Sequence, residues 1–257
     1  MKVSLVGAGN VAWHLGHLLY HRGYRIVQIA SLRQASGERL AHLLRARWVP
    51  AHQAIFEEED LVLVCVPDKV LFSQWRLTTA SDVVVAHTAA AVPVQRAGSA
   101  YRRNAVFYPF SSFTYGQPLK RSDFPIFIEA EHHPDAVMLH RVAQQLTGKS
   151  HASDADQRLR IHLAGVFANN FVNYLLKIAF DLVSPFEYTT DILGPILEET
   201  IHKALSIGPE NAQTGPALRG DLNTLQLHQR MLEATPQWKE LYQLISGLIQ
   251  RQKSIDT

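Results

Sequence analysis

A short apolar run, Lys2-Val3-Ser4-Leu5-Val6-Gly7, passes directly into Gly7-Ala8-Gly9-Asn10-Val11-Ala12. After it, Val11, Ala12, Leu15, Leu18 and Leu19 fall in one sector of a helix that reaches Tyr20. A buried strand that turns on glycines into a helix opens a βαβ unit and directs the following chain towards a parallel sheet. At this junction the first Gly permits the tight turn, and the second lets a phosphate approach the backbone. The small Ala12 lets the helix pack close to the strand. Free N–H groups at the helix start then face the phosphates of a dinucleotide. Gly7, Ala8, Gly9, Asn10 and Val11 are therefore cofactor-binding candidates. The competing reading is a glycine turn in a domain that has lost its ligand.

The alternation continues. Strands are expected over residues 25–31, 61–66, 83–86, 105–108 and 126–128, with a helix over 38–45; residues 61–66 are apolar on both faces, as a central parallel strand requires. Near residue 150 the character changes. A single long helix is expected over 154–183, then helices over 192–205, 224–233 and 238–252. The expected fold is α/β, with a Rossmann-type doubly wound, mainly parallel sheet over residues 1–150 and an all-helical domain over 151–257.

Twenty-five Lys and Arg against 23 Asp and Glu leave a formal +2 on 257 residues, too little for a general field towards nucleic acid or anionic lipid. No apolar run approaches the roughly 18 residues of a membrane span, and glycines break the N-terminal run before a signal-peptide core forms. One cysteine cannot form an internal disulfide, which fits a reducing compartment; the expectation is a cytoplasmic protein with a small-molecule substrate, bound to neither nucleic acid nor membrane.

The second strand ends in Ile29-Ala30-Ser31-Leu32-Arg33, with no acid before Glu38. An NAD site wants an acid there for the ribose hydroxyl, whereas Ser31 and Arg33 suit a 2′-phosphate, so NADP (as NADPH) is the expected cofactor. Val66-Pro67 and His87-Thr88 follow later strands at the same carboxyl edge and are candidates for the nicotinamide side. Cys65 reads as core rather than nucleophile.

On the long helix, His162, Asn169 and Asn173 lie within about 40° of one another at ideal α-helical spacing. Asn170 projects about 100° from Asn169, so the two should not face one pocket squarely. This stripe suits a cleft wall that binds a carbonyl or imine; the plain alternative is capping and buried backbone groups. The loop Thr214-Gly215-Pro216 leads to Arg219-Gly220-Asp221, with Asp221 as a helix cap. Thr214 and Arg219 are candidate anchors for an anionic substrate, or loop architecture. His14, His17 and His21 share a helix face that reads as solvated rather than metal-binding, and His132-His133 reads as loop. No metal site is expected.

Taken together, these motifs resemble bacterial Rossmann-like NADP oxidoreductases that carry a C-terminal helical domain of unknown function. Those are distant relatives of pyrroline-5-carboxylate reductase, ketopantoate reductase and 6-phosphogluconate dehydrogenase. The likeness rests on Gly7 to Ala12, on Val66-Pro67-Asp68, on His162 followed by Asn170, on Leu193-Gly194-Pro195, and on Thr214-Gly215-Pro216 with Arg219-Gly220-Asp221 and His228. It implies a C-terminal domain like that of 6-phosphogluconate dehydrogenase. Two positions depart from the group: Ala89-Ala90 stands where Ser-Gly is usual, and Tyr108-Pro109 where His-Pro is usual, while Phe113 is retained. Hydroxyacid dehydrogenases of the wider superfamily carry a G-x-x-x-K-x-x-x-N helix. Gly165, Asn169 and Asn173 keep that spacing with an amide in place of the Lys, and an amide cannot transfer a proton as an ammonium does.

The expected function is hydride transfer between NADPH and a small carbonyl or imine in an interdomain cleft. His162 is the first choice of proton donor, followed by His87 and His228, with Asn169, Asn170 and Asn173 orienting substrate. A non-catalytic NADP-binding sensor or scaffold is one alternative, and an NADP oxidoreductase using a deazaflavin is another. Long apolar helix faces suggest a homodimer through the helical domain.

Overall fold

A computed structural model of the chain describes residues 1–73, 77–97, 103–186 and 189–252. Ten strands form in chain order: β1 (Lys2–Val6), β2 (Arg25–Ser31), β3 (Arg47–Pro50), β4 (Ile55–Phe56), β5 (Leu61–Val64), β6 (Thr78–Thr79), β7 (Val84–His87), β8 (Asn104–Pro109), β9 (Ile126–Ala130) and β10 (Ser150–Ala152). Eight of them make one sheet in the order β10-β9-β8-β7-β5-β1-β2-β3, and β4 pairs with β6 separately. Every pairing in the large sheet is parallel except β8 with β9. The chain winds outward from β1 to β3, returns to β5, and winds outward the other way. The order therefore reverses between β1 and β5, and the crevice at their carboxyl ends is where open α/β sheets take ligands.

The pleat explains the burial. Leu61 and Leu63 of β5 enter one core with Val3 and Leu5, while Val62 and Val64 enter the other with Val6 and Val85. All four residues of β5 are buried, as a strand covered on both faces must be. The first core is closed by α1 (Asn10–His21), α2 (Gln34–Leu43) and α4 (His133–Thr147), and the second by α3 (Asp68–Leu71) and the β4–β6 ribbon.

Several local expectations change. Helix α2 starts at Gln34, four residues before the expected position. Helix α4 begins at the His132-His133 pair read as loop: His132 is its N-cap, Pro134 sits in the opening turn where a missing N–H costs nothing, and Gly148 ends it at φ 72°. The short edge strands β3 and β10 are additional. The face of α1 read as solvated is covered at Trp13 and His14, while His21 at its end is exposed. Asn10 Nδ2 donates to the Phe113 carbonyl at 2.9 Å, and His14 Nε2 lies 3.0 Å from the Thr114 carbonyl. His14 is buried, and Trp13 packs near Tyr115. The segment between β8 and β9 thus straps the helix, and burial pushes the His14 pKa down.

The chain divides into two compact units, Met1–Asn170 and Phe171–Thr257. The long helical segment begins with α5 (Ala155–Gly165), opened by a capping box. The Asp154 carboxylate accepts from the Gln157 N–H at 2.8 Å, and the Gln157 side chain accepts from the Asp154 N–H at 3.0 Å. A π-helical turn, Val166–Phe171, then interrupts the α-helical phase before α6 (Val172–Val183). The sheet-bearing unit includes α5 because of what its turns bury. Arg158, fully inaccessible, pairs with Glu129 and donates to the carbonyls of Ser153 and Val92.

The second unit is helical: α6, α7 (Thr189–Ile207), α8 (Pro209–Ala212), α9 (Pro216–Arg219), α10 (Leu222–Met231) and α11 (Pro236–Gln252). Over Ala155–Val183 the continuous helix reaches a mean hydropathy of 1.2 across 18 residues and is long and apolar enough to cross a membrane, although its sequence holds no uninterrupted apolar run of that length. The same 29 residues carry Arg158, His162, Asn169, Asn170 and Asn173, groups expensive to place among lipid tails.

Candidate active site

The glycine turn has the geometry its residues predicted. Gly7 has φ 105°, and a Cβ there would lie 2.2 Å from the Cys65 carbonyl oxygen. Its N–H donates to the Ala30 carbonyl at 2.7 Å, tying the turn to β2. A Cβ on Gly9 would instead project into open space at the start of α1. That helix has no side-chain cap and no acid in its first turn. Its exposed N–H groups and positive dipole end thus fit the pyrophosphate of a dinucleotide.

At the end of β2, Ser31 is buried and fully engaged. Its hydroxyl donates to the Arg33 carbonyl at 3.0 Å and accepts from Trp48 Nε1 at 3.0 Å. Ser31 therefore shapes the loop, a different role from the phosphate ligand expected of it. Arg33 is exposed at the N-cap of α2, another helix without an acid in its first turn. A 2′-phosphate there would meet a guanidinium and a helix N-terminus together. Ala8 packs on the core, and Val66 with Pro67 leads from β5 into α3.

The same edge carries a pocket of about 340 Å³, formed wholly within the first unit. Val11 of the glycine motif and Thr88 line it, with Tyr108, Pro109 and the strap residues Phe110 to Phe113. From the helix come His162, Gly165, Val166, Ala168, Asn169 and Asn170. Thr88 is oriented by its hydroxyl, which donates to the Val64 carbonyl at 3.2 Å. Gly165 is required by proximity, since a Cβ there would lie 2.6 Å from the Phe110 ring.

Tyr108 is the residue that reading the sequence missed as a participant. Its hydroxyl stands 3.2 Å from His162 Nδ1. Burial, with a contribution from Asp68, pushes the Tyr108 phenol up to about 12, so it retains its proton; the hydroxyl can donate to a bare Nδ1 or accept from a protonated one. In either case the contact orients the imidazole ring. The available signal was a Tyr-Pro pair at the carboxyl end of a strand, noted only as a departure from His-Pro.

The two asparagines correct an expectation. In an uninterrupted α-helix Asn169 and Asn170 would diverge, yet both line the pocket. They sit inside the π-helical turn, whose wider winding changes the angle between neighbours. Beyond that turn the α-phase that grouped Asn173 with His162 no longer holds; Asn173 is exposed on α6, in the second unit.

His87 is also corrected. It is fully buried, its Nδ1 accepts from the Ala89 N–H at 3.2 Å, and its Nε2 has no hydrogen-bond partner among the described residues. Burial first, then the Arg158 charge, pushes its pKa down to about 4. It is a neutral core histidine outside the pocket lining, unsuited to donating a proton to substrate. Cys65 is likewise inert, its thiol pushed up to about 12 by burial.

In the second unit, His228 Nδ1 lies 2.9 Å from the Tyr242 hydroxyl. Thr214 lines an apolar pocket of about 280 Å³ with Pro216, Trp238 and Tyr242. Arg219 is exposed at the end of α9. Asp221 caps α10 as expected, accepting from the Thr224 N–H at 3.1 Å and from its hydroxyl at 2.7 Å; those bonds hold its carboxyl below the usual range.

Comparison with known proteins defines a class first. A family described as a domain of unknown function (DUF2520) matches residues 124–249. The fold is shared with 1-pyrroline-5-carboxylate reductase of Streptococcus pyogenes (TM-score 0.63, 9% identity, 98% of each chain). It is shared too with an imine reductase of Myxococcus stipitatus solved with NADP+ (TM-score 0.60, 15% identity, 98% of this chain and 93% of that one). More specifically, the chain is 31% identical to BF3122 of Bacteroides fragilis, designated an NADP oxidoreductase, over 97% of this chain and 98% of that one, with a TM-score of 0.89. The chain belongs to that family of Rossmann-fold NADP oxidoreductases with a helical C-terminal domain. None of the curated proteins matches it.

Proposed function

We propose that the protein reduces a small carbonyl or imine with NADPH. The observation that carries this reading is one pocket whose wall joins Val11 of the glycine motif to His162, Asn169 and Asn170. Bound nicotinamide supplies the hydride. Asn169 and Asn170 hold the carbonyl oxygen or imine nitrogen by hydrogen bonds. The imidazolium form of His162, oriented by Tyr108, donates the proton from Nε2 as the substrate atom gains electron density and is left as neutral imidazole. Phe110 and Phe113 exclude water from one wall.

The first test titrates the protein with NADPH and NADH, following nucleotide fluorescence. NADPH should bind preferentially, and Arg33→Ala should weaken NADPH by at least about tenfold while leaving NADH unchanged. The second follows NADPH oxidation with ketones, aldehydes and imines. His162→Gln should lower kcat by about 100-fold at unchanged nucleotide affinity. Nucleotide binding without turnover of any such substrate would favour the non-catalytic sensor, and loss of NADPH binding would end both readings.

The proposal includes a homodimer that works in the cytoplasm. Phe171, Leu175, Leu182, Ile196, Ile201 and Leu205 are all exposed on the helical unit, an apolar surface of the kind that pairing of two copies covers. Sedimentation equilibrium should give twice the 28.9 kDa chain mass at micromolar concentration; a monomer refutes this part.

A further inference from the structure

Of the eleven residues of α5, Arg158 alone is buried. A helix usually seats on a sheet through an apolar stripe; this one presents a cation. Arg158, His162 and Gly165 stand at i, i+4 and i+7 and share one helix face. Strands β8 and β9 are matched to that face. Their antiparallel register pairs Val106 with Glu129 and Tyr108 with Phe127, so Glu129 and Tyr108 are diagonal neighbours on one side of the sheet. The first turn of α5 reaches Glu129 through Arg158, and the next meets Tyr108 through His162. The same guanidinium donates to the Val92 carbonyl at 3.3 Å, in the segment that follows Thr88, and to the Ser153 carbonyl at 3.4 Å.

A buried ion pair can often be replaced by apolar side chains of similar volume with no loss of stability. Apolar packing sets how deeply a helix sits, but it resists rotation about the helix axis weakly. A planar fork of directed N–H donors, shared among a carboxylate and two carbonyls, fixes rotation as well as depth. We infer that Arg158 is a positioning residue for the pocket: it sets the rotation and height of α5 so that His162, one turn on, meets Tyr108, and it ties the Thr88 segment to the same wall. This rests on the reading of His162 as the group that faces substrate, and deepens it.

The test compares wild type with two variants: Glu129→Leu combined with Arg158→Met, which removes the ion pair, and Arg158→Lys, which keeps the charge and loses the fork. The readout is the His162 imidazole in heteronuclear NMR at fixed pH, assigned by its loss in His162→Gln. Tyr108→Phe, made in each background, shifts the His162 ring nitrogens by an amount that measures the Tyr108–His162 contact. That shift should be at least about threefold smaller in both Arg158 backgrounds than in wild type. In turnover, the double variant should lose at least about tenfold in kcat while its urea midpoint stays well above that of Glu129→Leu alone.

An undiminished Tyr108→Phe shift in either folded variant overturns the inference, because packing alone then seats α5. So does the lack of any such shift in wild type, which leaves Arg158 no contact to position. Lower stability with the shift intact marks Arg158 as merely structural and overturns it too. If the double variant does not fold, Arg158→Lys decides. Failure of the reductase reading looks different: wild type neither binds NADPH nor turns over a substrate, and the NMR comparison still decides the role of Arg158.

Discussion

Acidification from pH 6.5 to pH 4 should remove a defined share of this protein's stability through one side chain. Folded His87 is fully buried beside the Arg158 charge and protonates only near pH 4, against 6.5 for the ordinary imidazole. Between those values the unfolded chain takes up a proton that the folded chain refuses. Stability must therefore rise with pH across this window and be lost as pH falls through it. The gap of about 2.5 pH units, at about 1.4 kcal/mol each, gives a loss of about 3 kcal/mol, complete below pH 4. The comparison is with His87→Asn, which cannot titrate and retains an acceptor for the Ala89 N–H. Urea unfolding of both proteins at intervals between pH 4 and 7, followed by circular dichroism, isolates the contribution as a difference in slope. All other titrating groups are common to the two. Parallel curves across the window would refute the argument, for they would mean that folded His87 accepts a proton as readily as the unfolded chain does.

Gly7→Ala should abolish NADPH binding and destabilise the fold by more than about 2 kcal/mol, because its methyl meets the Cys65 carbonyl at 2.2 Å and φ is 105°. Titration with NADPH and thermal unfolding check both parts. Gly165→Ala should displace the Phe110 ring and raise KM at least about threefold while lowering stability by less than about 1.5 kcal/mol. Steady-state kinetics against unfolding midpoints separate these effects. Glu129→Leu should cost about 3 kcal/mol by leaving the buried Arg158 charge unpaired, whereas the double variant with Arg158→Met should recover much of that loss. Denaturant midpoints for the three proteins decide it.

The central sheet was legible because its strands advertise themselves: residues 61–64 are apolar on both faces, and the glycine turn marks where β1 becomes α1. The edge strands were not, since Arg47-Trp48-Val49-Pro50 and Ser150-His151-Ala152 pair along one edge only and carry no apolar run. Helix α4 hid behind two histidines and a proline that read as loop, although proline in a first turn is a start signal. The polarity of α1 also misled. His14 looks solvated by helical phase alone, and its cover comes from a strap about 100 residues further along the chain.

Of the candidates read from residue type, the structure brings His162, Asn169 and Asn170 to one pocket. Local spacing misassigned the companions, because the choice between them depends on a turn that is not α-helical. Tyr108 needed the three-dimensional contact. The charge of Arg158 and the imidazole of His87 become core features only once β7, β9 and α5 are packed together.

In an ordinary α-helix, residues that point the same way are three or four apart, about 5 Å along the axis. The π-helical turn lets two consecutive residues, Asn169 and Asn170, reach the same pocket. Their Cα atoms rise by only a residue's step, about 1.5 Å in α-helical terms. Two carboxamides, each with its own donor and acceptor ends, thereby line one pocket. Deleting a single residue from Val166–Phe171 would leave the segment just as helical by circular dichroism while turning one of the two amides away from the pocket.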